Sequence, residues 1–382
     1  MSAVWNVLFV DDDEDIRRQL KEYLEGDLGQ KLGRVVVDVS GNFNEVRHKL
    51  DALLYDIVIL DVFRGEQTAH SDDRPGAKIM DEIIKKCFVP IILFTALPKA
   101  VDEKNSKFIK VIRKSGDTLK DVKKQIISYI KSGVLFVNKA LINHLHCVQA
   151  EYMWKFVEPN LKRFGNGIPP KELAYLLARR LAKSLSRDRI SNLIDYVGGG
   201  QTSEPFRDDV VDPMEFYIYP PDGEQLSAGD IFIAQKSGKH KKHLVLLTPS
   251  CDMVETATRK PKSEFVLLAE CIPMDETVDG KAVMAQKNKT SINDLVNFMK
   301  NNKRQADRYY FLPPTFFMAP LFVDFQQLRR MPLTDIKKTE KLASLDNPFA
   351  ESLLNRFLRY FGRIGTPDLR ENTLHAIAAN LK

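Results

Sequence analysis

Long hydrophobic runs are missing from these 382 residues: no apolar stretch approaches a membrane span. The opening "MSAVWN" holds no charged region followed by an apolar one, so no secretory leader is expected and the cytoplasm is the expected compartment. Cysteine is scarce. Cys87, Cys147, Cys251 and Cys271 form no CxxC pair, which argues against a disulfide framework and against a structural zinc ribbon. Internal repeats and low-complexity tracts are also missing. Nor does either sign of charge dominate the first third, where residues 1–133 hold 22 Lys+Arg and 22 Asp+Glu. The remainder holds 35 and 29 and carries the whole net charge of +6, which permits an anionic partner without demanding one.

What is present is an ordinary globular balance, 44% hydrophobic and 28% charged, at a length that suggests two or three domains. The first third alternates short apolar runs (7–10, 34–39, 56–60, 90–94, 108–112) with helical patterns near 14–25, 43–53, 76–86 and 117–131. That order predicts a doubly wound parallel sheet. "DIVIL" and "PIILF" are apolar on both faces, as covered parallel strands are. Gly133 closes this unit. Two helices are expected at 134–163 and 170–196, separated by "GNGIPP", and "GGGQTSEP" at 198–205 is the clearest linker. The expected domains are therefore 1–133, a helical linker or dimerisation hairpin over 134–198, and 205–382. The last combines short strands with helices near 291–301, 347–363 and 367–381, an α+β pattern with a small antiparallel sheet or barrel.

The stretch "VLFVDDDEDIRRQL" at 7–20 places five acids where a buried strand passes into a helix. Some carboxylates there suit the helix dipole; several together repel, and a divalent cation relieves the repulsion. Ligands of doubly wound sheets bind beyond the carboxyl ends of the strands. Those ends carry Asp11 and Asp12, then Asp61, then Thr95, with Lys114 just after the fifth. The set makes chemical sense as a phosphoryl-transfer site. Asp11 and Asp12 would hold Mg²⁺, Asp61 would attack a phosphoryl donor, and Thr95 and Lys114 would bind the new phosphoryl oxygens.

In these residues the chain resembles the receiver domain of two-component response regulators. "VLFVDDDEDI" is similar to the family's acidic-pair motif, "DIVILDV" to its phosphoacceptor strand and "PIILFTA" to its switch-threonine strand. The resemblance covers roughly residues 5–132. It implies a flavodoxin-like (βα)5 receiver at the head of an α/β chain, followed by the helical hairpin and an α+β domain with a small barrel-like sheet. It further implies that the Phe63 backbone carbonyl completes the metal site with Asp11, Asp12 and Asp61, and that a cognate histidine kinase or phosphotransfer protein is the partner. Three departures stand out. Ser115 follows Lys114 where the family usually has proline, with Lys110, inside the strand, as the alternative lysine. Val111 stands where the family often has a swinging aromatic. The loop "RGEQTAHSDDRP" is long, either overhanging the site to control access or a tolerated surface insertion. With no aromatic switch, movement of Thr95 is expected to pass through 96–107 to the hairpin start, 134–142.

No helix-turn-helix is evident beyond residue 134, so the expected output is a signalling or interaction module that does not bind DNA, or a phosphate sink. Arg179, Arg180, Lys183, Arg187 and Arg189 leave nucleic-acid binding open. "GDIFIAQKSGKHKKHLVLLTPSCDM" loosely resembles the SH3-like barrel of PemK-type toxin ribonucleases over about 25 residues, so a phosphorylation-controlled enzyme or RNA-cleaving effector, as in phage defence, is the alternative. Cys251, Asp252 and His243 would be its site, as a Cys–His nucleophile pair or a metal site. The bland reading is a buried cysteine beside a turn aspartate. Apart from self-phosphorylation no enzymatic activity is evident. Phe349, Leu353, Leu354, Phe357, Leu358 and Phe361 recur at helical spacing and read as a core face.

Overall fold

The computed structural model describes residues 3–28, 32–43, 45–52, 55–63, 75–115, 118–160, 170–185, 211–221, 223, 225–234, 242–277, 280–281, 285, 289–300, 307–363 and 369–380. The linker at 198–205, loop residues 64–74, Arg187 and Arg189 lie outside them. The chain forms two compact units, Met1–Phe206 and Arg207–Lys382.

The first unit is built on strands β1 (Val4–Val10), β2 (Gly26–Asp27), β3 (Arg34–Ser40), β4 (Ile57–Leu60), β5 (Ile91–Thr95) and β6 (Ile109–Arg113). Their order is β2-β3-β1-β4-β5-β6, all parallel except the two-residue β2, which pairs antiparallel with β3 at the edge. The five parallel strands follow the flavodoxin-like order, with the switch point beside β1. Alternation along β1 feeds two cores. Val7 and Phe9 pack with Leu20 and Leu24 of α1 (Glu14–Leu24) and with Val122, Ile126 and Ile130 of α4 (Leu119–Lys131). Leu8 and Val10 pack with Val46 of α2 (Glu45–Ala52) and with Ile79, Met80 and Ile83 of α3 (Pro75–Lys86). Between β5 and β6 there are two 3₁₀ turns, Pro98–Ala100 and Asp102–Lys104, in place of a regular helix.

Gly133, at φ 77°, turns the chain from α4 directly into α5 (Val134–Tyr152). Only glycine takes that left-handed conformation without strain. α5 continues through a π-helical turn, Met153–Val157, into Glu158–Asn160. Against it lies α6 (Pro170–Ser184), where the Ser184 carbonyl is 3.0 Å from His144 Nε2. The start of α5 sits on the floor of the sheet. Leu135 is buried in the first core, Phe136 meets the Trp5 ring edge-on at 4.7 Å, and Lys139 Nζ reaches the Val4 carbonyl at 2.6 Å. The expected seat of 134–142, against the face that carries 96–107, is therefore corrected. α4 runs antiparallel to the strands and ends beside their N-terminal ends, so a one-glycine turn delivers α5 there.

The second unit holds β7 (Tyr217–Ile218), β8 (Asp230–Ala234), β9 (Lys242–Leu246), β10 (Phe265–Ile272), β11 (Tyr309–Leu312), β12 (Leu321–Pro332) and β13 (Glu340–Leu345). They form one antiparallel sheet ordered β11-β12-β10-β9-β8-β13-β7. Among the described residues its end strands, β11 and β7, do not pair with each other, so the barrel-like sheet of the sequence reading is an open one. Register shifts at Ala269/Glu270 and Lys341/Ala343 mark where it bends. Helices α7 (Lys289–Met299), α8 (Phe349–Phe361) and α9 (Glu371–Asn380) complete the unit. α8 buries Ala350 and Leu353 against the sheet, with Leu354 and Phe357 partly covered. Leu358 and Phe361, read from the sequence as core, are exposed. No described helix is long and apolar enough to cross a membrane.

Candidate functional site

The five acids of the opening stretch divide their work. Asp13 caps α1, its Oδ1 accepting from the backbone N–H of Asp15 and Ile16 at 2.9 and 3.1 Å, while Glu14 and Asp15 occupy the first turn. Asp11 and Asp12 are left at the carboxyl end of β1. There one carboxylate oxygen from each of Asp11, Asp12 and Asp61 lies within 4.8 Å of the others. It is the one such group of three or more metal-ligating side chains among the described residues. Asp11 and Asp61 are buried. Asp61 is held from both sides, its backbone N–H donating to the Val10 carbonyl at 2.8 Å and its Oδ1 accepting from the Phe63 N–H at 3.3 Å.

Lys114 bridges the two buried acids, with Nζ 2.7 Å from Asp11 Oδ2 and 2.6 Å from Asp61 Oδ2. Its backbone N–H donates to the Thr95 carbonyl at 2.8 Å, so β5 sets the reach of the lysine. Lys110 lies inside β6 as expected. Thr95 is fully buried at the end of β5, where its Oγ1 accepts from the Leu97 N–H at 3.2 Å. Burial pushes the Asp11 carboxyl up to about 6; Lys114 opposes that rise and the Asp61 charge adds to it. Asp61 is raised for the same first reason, again against Lys114. Burial disfavours the Lys114 ammonium, yet the two carboxylates outweigh it and raise its pKa.

Among the described residues, Asp11, Asp12 and Asp61 bring three carboxylates together in a partly buried group, and every donor is a hard oxygen. That donor set fits Mg²⁺. Two further residues escaped the sequence reading. Arg17, on the turn of α1 after the acids, donates from Nη1 to the Asp11 carbonyl at 2.6 Å and so secures the acidic loop from behind. Gly76, at the start of α3, lies so close to the Asp61 backbone that a Cβ there would stand 1.8 Å from its carbonyl oxygen. A glycine soon after an acidic strand end was the available signal, obscured by the 14 residues between them.

The residues proposed for the output are not assembled. Cys251 lies on the turn Ser250–Met253, with Sγ 3.7 Å from Asp252 Oδ1. The Asp252 carbonyl accepts from the N–H groups of Lys262 and Ser263, which gives Asp252 a turn-organising role. His243 enters β9 at its beginning, opposite Cys271 and Ile233, whereas Cys251 follows beyond the end of that strand. Roughly 10 Å or more of extended chain separates them. The Cys–His pair is thereby corrected, and the cysteine is exposed rather than buried.

The first unit is thus a doubly wound domain with an acidic, lysine-bridged pocket at its switch point. Response regulators are among the solved structures it resembles. It shares 32% identity with the response regulator TrrA of Thermotoga maritima, in complex with Mg²⁺–BeF, covering 98% of that chain and 32% of this one at a TM-score of 0.25. The response regulator domain of Thermotoga maritima CheB is 20% identical, with 96% and 34% covered and a TM-score of 0.26. The receiver domain of Francisella response regulator 1452 is 17% identical, with 97% and 33% covered and a TM-score of 0.26. No family model and no curated protein matches the chain. On the identity to TrrA over nearly its whole length, the chain belongs through its N-terminal part to the response-regulator receiver family. The C-terminal unit is unassigned.

Proposed function

We propose that this protein is a response regulator of a two-component phosphorelay, phosphorylated on Asp61. The observation that carries this reading is the convergence of Asp11, Asp12, Asp61 and Lys114 at one pocket, from the ends of three strands. A histidine kinase or phosphotransfer protein would supply the phosphoryl group. An Asp61 carboxylate oxygen attacks phosphorus as the bond from phosphorus to the donor's leaving atom breaks, and the leaving group departs with that electron pair. Asp11, Asp12, Asp61 and the Phe63 carbonyl would hold Mg²⁺, which when bound neutralises charge on the transferred oxygens. Lys114 stays in the pocket and exchanges its bond to Asp61 for one to a phosphoryl oxygen, and the Thr95 hydroxyl binds another.

The C-terminal unit is read as a signalling or interaction output. Supporting this are its open antiparallel sheet and the separation of His243 from Cys251, which removes the nucleophile pair that favoured an enzyme. Acetyl phosphate with Mg²⁺ should add one phosphoryl group to the intact protein, seen as a single mass increment. Equal labelling of the Asp61→Asn variant would overturn the assignment.

A further inference from the structure

On the second unit, the C-terminal end of α8 and the adjoining part of β12 frame an open depression of about 560 Å³, lined by Phe325, Gln326, Tyr360, Phe361 and Arg363. We propose that this surface binds single-stranded nucleic acid, stacking unpaired bases on Phe361 and Arg363 and neutralising phosphates with the exposed Arg359 and Arg363.

Aromatic and cationic groups are interleaved here. Phe361 is 54% exposed and meets the Tyr360 and Phe357 rings at centroid distances of 5.5 and 4.9 Å. The Arg363 guanidinium lies over the Tyr360 ring at 3.7 Å and is tied by Nη1 to the Tyr360 carbonyl at 2.8 Å. The guanidinium is thereby held against the tyrosine ring. Gln326 Nε2 donates to the Tyr360 hydroxyl at 2.6 Å, which holds the ring from the β12 side. These are pre-oriented π-faces, a platform on which bases stack without regard to sequence.

The charge is of the matching sign. Residues 355–363, "NRFLRYFGR", contain three arginines and no acid. Arg359 is exposed, 3.4 Å from Asp307, and Arg308 forms a two-pronged pair with Asp324 at 2.7 and 2.8 Å. Among the described residues of this cluster, Arg308 is paired with Asp324 and Arg359 with Asp307, Arg356 is buried, and Arg363 lies over Tyr360. Burial acts to raise the Tyr360 phenol, yet Arg363, Gln326 and Arg308 hold it below the usual tyrosine value, as expected in a positive local field. Basic residues in a last helical turn also suit the helix dipole. That does not account for a phenylalanine left exposed among them on a helix whose sheet-facing side is already covered. Duplex DNA hides its base faces, so stacking of this kind selects unpaired strands.

The test is fluorescence anisotropy of the full chain with labelled 12-nucleotide oligo(dT) and oligo(U), together with 2-aminopurine emission as a stacking reporter. Binding at about 50 mM salt should weaken steeply by about 200 mM. Phe361→Ala should weaken it about 5- to 100-fold and abolish the 2-aminopurine change, while Phe361→Trp restores both. Arg363→Ala should weaken binding and lower the salt slope by about one. Leu358→Ala, an equally exposed neighbour, and Arg179→Ala on α6 should leave affinity unchanged, and thermal melts identify any variant that fails to fold. Four results would each overturn the proposal: no binding at low salt, equal binding of a duplex, equal competition by polyglutamate, or an affinity that follows Arg179 and ignores Phe361.

Discussion

Lys139 Nζ lies 2.7 Å from Asp56 Oδ2, a pair that joins α5 to the segment entering β4 across 83 residues of sequence. The same carboxylate oxygen accepts from the Asn6 N–H at 2.8 Å, and the ammonium stands 5.3 Å from the centre of the Trp5 ring. The hairpin is therefore fastened to the floor of the receiver, at the opposite ends of the strands from Asp61. Lys139→Met should lower the stability of the first unit by about 1–3 kcal/mol, since Asp56 is left partly buried without its cation. Hydrogen exchange should rise over 134–142, and no rise there would show that Leu135 and Phe136 alone hold the helix.

Position on the floor also sets the expected response to phosphorylation. Thr95 leads directly into the two 3₁₀ turns at 98–104, whereas 134–142 is seated through Leu135, Phe136 and Lys139 on Trp5, Val4 and Asp56. Beryllofluoride bound at Asp61 should change exchange over 96–107 and leave 134–142 as protected as before. Parallel changes in both segments would show that the sheet itself carries the signal.

Asp11→Asn should stabilise the protein in the absence of divalent cations at neutral pH. Asp11 has its carboxyl raised to about 6, above the ordinary 3.8, so its contribution to stability is present below pH 3.8 and lost as pH rises through about 6. The gain in the variant should be on the order of 1–3 kcal/mol at pH 7 and vanish near pH 4. Mg²⁺ should raise the melting temperature of the wild type and not that of the variant. Thermal melts at both pH values, with and without Mg²⁺, read all of these outcomes.

Gly76→Ala should damage the acid pocket without touching a carboxylate. A methyl group 1.8 Å from the Asp61 carbonyl oxygen forces α3 away from the strand end, and overpacking of this kind typically costs about 1–3 kcal/mol. Phosphorylation from acetyl phosphate should slow and the melting temperature fall. Full activity with unchanged stability would place the start of α3 farther from Asp61.

In the second unit, the Asp324 side chain is fully buried and accepts from Arg308 at two points and from the Gln326 N–H at 3.0 Å. Burial acts to raise its carboxyl, but those donors hold it below the ordinary value. Its contribution is therefore present above about pH 4 and lost as pH falls through the lowered value. Asp324→Ala should destabilise this unit by about 3 kcal/mol, measured by denaturant unfolding at pH 7. A loss well under about 1 kcal/mol would mean that Arg308 finds solvent instead.

Local pattern determined the receiver fold and named the residues that the sheet gathers at its edge. Buried parallel strands are continuous apolar runs, and a doubly wound sheet presents the residues after its strand ends at one edge, so Asp11, Asp12, Asp61, Thr95 and Lys114 could be assigned before any coordinates. The strands β2, β7 and β13 were not legible, because two are only two residues long and "EKLASL" is polar enough to read as a connection. Periodicity marked one face of α8, but only the sheet beneath it decides where that face ends, and it leaves Leu358 and Phe361 in solvent. The separation of His243 from Cys251 was likewise invisible in a spacing of eight residues, because that spacing runs through an extended strand and could equally have turned back on itself. The seat of α5 depended on where α4 finishes and on the left-handed Gly133. These are facts of non-local packing: distant segments compete for the same apolar surface, and a linear pattern does not record which of them wins.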